Sequence, residues 1–355
     1  MFDHLEIRNF KSVEHVDLNC RRVNVLIGKP NTGKSNILES LGLISYVGHS
    51  SRGGSLDSFV RCDDLSNLFH GGLLGRSIEI ALHRSRLLGG ELRIQERVGL
   101  VLGYVNGRFK GGVGEEGLIR ERGTEPIRTP VEPNAYAIMG NGLTLSVSQG
   151  ADALGIVPTC KFYRFAPLFT FPVKAGGFLS PPSGANVLSL LLRDSDLANE
   201  VNALFSDNGL KLGLNAEENR IEVLTEYGNS SFSHPYHLTS EHLQRLAFHI
   251  AALRTNSDSL VVLEDPECYP YSSQSQDLAE SIALDDRGNQ YFVSTHSPQF
   301  LKSLVEKTSP GDIAVFMTNC YDYRTRVTQV PQHDLAVLTH GTDLLSSFGA
   351  LLETA

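Results

Sequence analysis

The sequence predicts a mixed α/β fold, with a mainly parallel core sheet flanked by helices and an antiparallel β lobe beside it. Three observations predict this. Residues 23–27, VNVLI, form a continuous apolar run that stops at Gly28, and from Ser35 the apolar residues Ile37, Leu38, Leu41 and Ile44 recur at helical spacing. Buried parallel strand, glycine loop and helix therefore follow in that order. Two more apolar runs, LVVL at 260–263 and YFVST at 291–295, are separated by a helical stretch at about 274–284. Between these regions, residues 78–147 carry the short strand-like runs IEIALHR, ELRIQERV, LVLGYV and LTLSV, with Gly89-Gly90, Asn106-Gly107 and Asn141-Gly142 falling between such runs. Pairs of this kind supply the positive φ angles of tight hairpins.

The remaining elements fill in around these. Residues 4–10, HLEIRNF, alternate as a strand does. Residues 183–205 read as helix and 220–224 as strand, and a helix over 241–254 carries Leu243, Leu246, Ala247 and Ile250 on one face. Residues 313–318 and 324–330 read as the final strands. The stretch 111–134, rich in Gly, Pro and charge, reads as a mobile loop. No heptad array is present, so a long coiled coil has neither room nor pattern. The 355 residues and 41% hydrophobic content suffice for a large core. No apolar run approaches the ~18 residues of a membrane span, and the early charges Asp3, Glu6, Arg8 and Lys11 argue against a secretory signal. Five dispersed cysteines without a C-x-x-C pair fit a reducing cytoplasm rather than a disulfide or zinc framework. A net charge of −9 gives no support to chain-wide attraction for nucleic acid.

Four segments carry chemistry. GKPNTGKS, Gly28 to Ser35, matches G-x-x-x-x-G-K-[ST] in full. Its glycines let backbone N–H groups approach phosphates, and it opens a helix whose N-terminus favours negative charge. Gly28, Pro30, Asn31, Thr32, Gly33, Lys34, Ser35 and Asn36 form the expected nucleotide-binding set, for ATP with Mg²⁺. Lys34 reaches the β/γ-phosphates and Ser35 ligates the metal. LVVLEDPE, residues 260–267, is an apolar strand ending in acids. Glu264 is expected at the Mg²⁺ and Asp265 at the attacking water; the plainer reading is a solvated strand end before a turn at Pro266. FVSTHSP, residues 292–298, places His296 just past the next strand, where it can sense the γ-phosphate, although a lone histidine there is more often structural. HLTSEHLQRLAF, residues 237–248, puts Thr239 and Ser240 before a helix as natural N-caps. That end is either only a cap or an offer of a helix N-terminus to a phosphate, including one held by another subunit.

The order of these motifs resembles the ABC-type ATPase heads of the RecF and structural-maintenance-of-chromosomes group. It is most similar to the AAA15 branch, with its OLD-type and AbiLii-like ATPases. The resemblance spans most of the chain. LEIRNFKSVEHVDL looks like the opening strands, and GKPNTGKSNILESL, with Asn36 and Glu39, like the P-loop and its helix. KFYRF at 161–165 and LSPPSGANVLSLL at 179–191 resemble the middle section. LTSEHLQRLAF resembles the signature, LEDPE the Walker B strand and STHSP the histidine switch.

The resemblance implies a single head over 1–355, with an antiparallel lobe at 75–150 and a helical signature lobe at 160–255. It implies two heads sandwiching two ATP molecules, Thr239 and Ser240 acting in trans and His296 in cis. It also implies a homodimeric or higher-order ATP switch that controls a partner or DNA, in phage defence or DNA maintenance. Three departures qualify this. Asp265 is one methylene shorter than the usual catalytic glutamate, which implies slow hydrolysis. Glu241 stands where many signatures carry glycine and would repel a γ-phosphate. The segment 65–72, LSNLFHGG, near the expected lid, has no glutamine. Too few residues follow the last predicted strand for a built-in nuclease domain, which leaves a separately encoded nuclease or effector as partner. In the alternative reading the chain is a catalytically weak ATP-binding scaffold for such an effector.

Overall fold

A computed structural model describes residues 1–50, 54–88, 92–120, 127–128, 132–141, 144–149, 157–172, 176–228, 230–267 and 273–335. In chain order the strands are β1 (His4–Phe10), β2 (Val13–Asn19), β3 (Val23–Ile27), β4 (Ile78–Leu88), β5 (Leu92–Val105), β6 (Arg108–Arg120), β7 (Ile127–Arg128), β8 (Glu132–Asn141), β9 (Thr144–Gln149), β10 (Cys160–Tyr163), β11 (Leu210–Asn215), β12 (Arg220–Tyr227), β13 (Ser230–Pro235), β14 (Leu260–Leu263), β15 (Gln290–Ser294), β16 (Ile313–Tyr321) and β17 (Arg324–Gln329). The helices are α1 (Lys34–His49), α2 (Leu56–Phe59), α3 (Val187–Arg193), α4 (Ser195–Ser206), α5 (Glu241–Thr255), α6 (Ser273–Ala283) and α7 (Pro298–Lys307).

The core sheet runs β10-β14-β15-β3-β16-β17, parallel except for β17, which folds back on β16. Its central strands are buried on both faces. On β14, Leu260 and Val262 point into the cluster shared with α1 and the β lobe, while Val261 and Leu263 point into the cluster of α3–α7. This two-sided burial is why those strands read as unbroken apolar runs rather than alternations. The strand carrying the acids, β14, is separated from the P-loop strand β3 by β15. The carboxyl ends of all three therefore meet at one edge, where a sheet of this kind receives its ligands.

The second sheet is antiparallel, ordered β2-β1-β4-β5-β6-β8-β9, with β7 beside β6. It begins well before residue 75, because β1 and β2 form one of its edges. Asn106 and Gly107 have φ of 53° and 79° and make the two-residue β5–β6 turn that the sequence predicts. Gly89-Gly90 and Gly142 lie outside the described residues. The expected loop at 111–134 is overturned for its first part, where β6 continues to Arg120. Gly111 there serves close packing: a Cβ on it would collide with the backbone of Val101 on β5. Residues 121–126 and 129–131 lie outside the described residues.

The predicted helix over 183–205 is two helices. Asp194 ends α3 in an extended conformation and its carboxylate accepts from the N–H groups of Asp196 and Leu197, capping α4. A three-stranded antiparallel sheet, β11-β12-β13, leads through a short turn, Tyr236–Leu238, into α5.

Candidate functional site

The P-loop leaves β3 at Gly28 and enters α1 at Lys34. Gly33 has φ 96°, and a Cβ there would overlap the Thr325 side chain; one on Gly28 would overlap Thr318. Both positions therefore require glycine for conformation and for space. Asn31, also left-handed at φ 63°, is of the type that tolerates it. The loop is braced by hydroxyls of the β16–β17 hairpin. Thr32 Oγ1 donates to the Lys29 carbonyl and shares a 2.6 Å hydrogen bond with Thr318 Oγ1. Asn36 Nδ2 donates to Ser12 Oγ, which in turn shares a bond with Thr325 Oγ1. Pro30 is exposed, and Ser35 is half-buried at the first turn of α1.

Lys34 is buried, and its Nζ donates to the Gly28 and Lys29 carbonyls at 2.9 Å each. Burial lowers its pKa, while the negative charges of Asp265 and Glu267 pull it back up. The acids nearest to Lys34 in effect are therefore Asp265 and Glu267. Asp265 sits just past β14 at φ 43°, a conformation aspartate adopts more readily than glutamate. Its N–H donates to Ser294 Oγ and its Oδ1 accepts from the same hydroxyl. Glu267 Oε1 accepts from Thr295 Oγ1 and from the His296 N–H, while Oε2 is buried and has no hydrogen-bond partner among the described residues. Burial and the Asp265 charge push the Glu267 pKa up to about 7. His296 stands beside this group. Burial and then Lys34 lower its pKa, against an opposing pull from Asp265, which favours the neutral imidazole. Thus Lys34, Asp265 and His296 converge as the sequence predicts, joined by Glu267, to which the sequence reading gave no role.

Glu264 departs from its expected place. Both its oxygens are taken by guanidinium groups: Arg61 donates to Oε1 and Arg164 Nε to Oε2. The same two arginines reach Glu39 Oε1 on α1, at 2.7 and 2.5 Å, and Lys11 from the β1–β2 turn pairs with Glu39 Oε2. The Glu39 side chain is 1% exposed and that of Glu264 9%. The reason is directional. Glu264, the residue after Leu263, takes the alternate face, that of α1, where Glu39, Arg61 and Arg164 lie, whereas Asp265, at φ 43°, leaves the strand path and bonds Ser294 at the end of β15. Glu264 is thereby a strut between β14, α1 and the β lobe rather than a free metal ligand. The sequence reading passed over Lys11, Arg61 and Arg164; the signal for Arg164 was a cation directly after the apolar strand of KFYRF.

The signature end is arranged differently from two simple caps. Thr239 Oγ1 donates to the Tyr236 carbonyl, and Ser240, at the N-cap of α5, makes no capping bond and is exposed. Glu241 is held by Arg245 one turn on, at 2.7 Å, which offsets its charge at this end. The segment 65–72 forms two 3₁₀ turns, Leu65–Leu68 and His70–Gly72.

The AAA ATPase domain family matches residues 1–67, a stretch that contains β1–β3, the P-loop and α1. No curated protein matches the chain. The chain is similar in structure to the SmcHead bound to the C-winged helix domain of ScpA, at 14% identity and TM-score 0.53, over 93% of this chain and 98% of that one. It also aligns with the SMC head domain from Thermotoga maritima, at 13% identity and TM-score 0.41, over 93% and 99% of the two chains. The first 67 residues are thus similar to the AAA ATPase domain, and the fold as a whole is similar to that of the SMC head. Among the described residues no helix is long and apolar enough to cross a membrane.

Proposed function

We propose that the chain is an ATP-driven switch. ATP lies along the P-loop with its terminal phosphates on Lys34, and the exposed Ser240, with Thr239, is offered to the γ-phosphate held by a second copy. The observation that carries this reading is the convergence of Lys34, Asp265, Glu267 and His296 at the carboxyl edge of the parallel sheet. Mg²⁺ commonly takes one or two carboxylates alongside phosphates and waters. The Ser35 hydroxyl suits that donor set beside the phosphates and waters; Glu264, tied to two arginines, does not. When bound, the metal supplies charge neutralisation to the departing phosphates.

Asp265 orients the attacking water from a fixed position on Ser294, and neutral His296 donates its ring N–H to the γ-phosphate. Hydrolysis is slow because the aspartate arm is short, and it releases the paired heads. The SmcHead of the related fold is bound to a winged-helix domain; a protein partner of this head, an effector or nuclease or a DNA-maintenance factor in the cytoplasm, reads the nucleotide state. The Arg245 partner of Glu241 favours the switch over the inert scaffold, because it partly offsets the carboxylate charge that opposes closure in trans.

Light scattering on Asp265→Asn with ATP and with ADP tests this. ATP alone should double the mass, and phosphate release should fall at least tenfold relative to the natural chain. A strict monomer with full ATPase activity would refute the sandwich.

A further inference from the structure

The hairpin that braces the P-loop ends in a turn whose residues do not suit it. Tyr321 pairs with Arg324, so the β16–β17 loop is just Asp322 and Tyr323, with φ of 52° and 60°. Two-residue loops of this kind take Asn-Gly or Asp-Gly, because both positions need positive φ. Aspartate meets that preference. Tyrosine at the glycine position is an outlier for a bulky side chain. Strain of this sort persists where it serves a site.

Burial does not compensate for it. Tyr323 is 66% exposed, and its ring lies nearly parallel to His70, at 27° with centroids 6.0 Å apart. His70 is itself fixed, since Nδ1 bonds the Lys11 carbonyl at 2.7 Å. The result is an exposed aromatic face on a rigid two-residue turn with a second ring behind it.

Its position gives it a ligand. Thr325, two residues beyond Tyr323, packs against Gly33 and is linked through Ser12 to Asn36. These links hold the hairpin tip beside the P-loop and the first turn of α1, where a nucleotide with its terminal phosphates on Lys34 would continue toward its base. We propose that Tyr323, backed by His70, is the stacking platform for the base of the nucleotide; this rests on the ATP-binding reading above. Stacking accepts any base, because each has a π-face, so the site selects nucleotide over bare triphosphate more than it selects one base over another.

Calorimetric titration of the full chain with ATP, GTP and inorganic tripolyphosphate tests the proposal in Tyr323→Gly and Tyr323→Phe. Glycine fits the turn, so the fold survives, as an unchanged or raised Tm will show. Tyr323→Gly should weaken ATP and GTP about tenfold, Tyr323→Phe should keep natural affinity, and tripolyphosphate should bind equally to all three. Unchanged ATP affinity in Tyr323→Gly, with tripolyphosphate still bound, overturns the platform and leaves the P-loop reading intact. An equal loss for tripolyphosphate also overturns it, since the turn would then act on the loop and not on the base. Failure of all three ligands to bind the natural chain overturns the ATP-binding reading itself.

Discussion

The two flanks of the sheet edge are built from different materials. On the β3–β16 side the P-loop is held by neutral hydroxyls and an amide: Thr32, Thr318, Thr325, Ser12 and Asn36. On the β10–β14 side the contacts are ionic: Lys11, Arg61 and Arg164 on Glu39 and Glu264. The division has a physical logic. A cradle for a polyanion must keep its positive potential for the ligand, and neutral donors stiffen it without adding carboxylates that repel phosphate. On the ionic flank paired charges fix how α1, β14 and the β lobe meet. Buried pairs of this kind are costly to break but add little over an apolar contact of the same shape. Their contribution is geometric.

Glu39→Gln breaks the ionic flank at its centre, leaving Arg61 and Arg164 on Glu264 alone and taking the carboxylate from Lys11. Stability should fall by about 3–5 kcal/mol, read from urea unfolding, whereas Ser12→Ala on the neutral flank should cost about 1 kcal/mol. Near-equal losses would erase the contrast between the flanks.

Lys34→Ala probes the neutral flank through its ligand. ATP affinity should drop about a hundredfold or more, as expected for a lost charge-assisted phosphate contact. Tm should stay close to that of the natural chain, because Nζ bonds only two carbonyls of its own loop. Calorimetry and a thermal melt check both halves.

His249 sharpens the comparison by being ionisable, fully buried and without an ionic partner. Nδ1 faces the Arg245 carbonyl on α5, and Nε2 has no partner. Burial first, and then the Arg245 charge, lower its pKa to about 3. The unfolded chain takes up this proton near pH 6.5 and the native chain does not. Stability is therefore present above that pH and is lost as pH falls toward the folded value. From pH 7 to 5 this group alone should remove about 2 kcal/mol. His249→Leu should flatten that part of the urea-unfolding profile, and an unchanged slope would contradict the neutral assignment.

Strand identity was legible wherever burial was two-sided. VNVLI and LVVL correspond to β3 and β14 residue for residue, because apolar runs bounded by polar residues leave no other register. The site was legible where spacing is local, as in the P-loop, or where adjacent motifs end neighbouring strands, as with Asp265 and His296. The helix break at Asp194 was missed because the apolar pattern runs through it, and only the capping bonds reveal it. The Glu264 strut was missed for a different reason: its partners, Arg61 and Arg164, are about two hundred and one hundred residues away, and no local pattern encodes which way a strand-end acid turns. The same holds for Thr318 and Thr325, which brace a loop nearly three hundred residues earlier.

The central claim is that neighbouring acids at the end of β14 divide the labour, Glu264 holding the fold and Asp265 facing the nucleotide. Urea unfolding of Glu264→Gln and Asp265→Asn side by side, without nucleotide or metal, tests it most directly. The account predicts a loss of about 3 kcal/mol for Glu264→Gln, which leaves Arg61 and Arg164 to share Glu39 alone. It predicts under about 1 kcal/mol for Asp265→Asn, since asparagine keeps both the left-handed backbone and the Ser294 hydrogen bond. Asp265→Asn unfolding as readily as Glu264→Gln, or more readily, would contradict it.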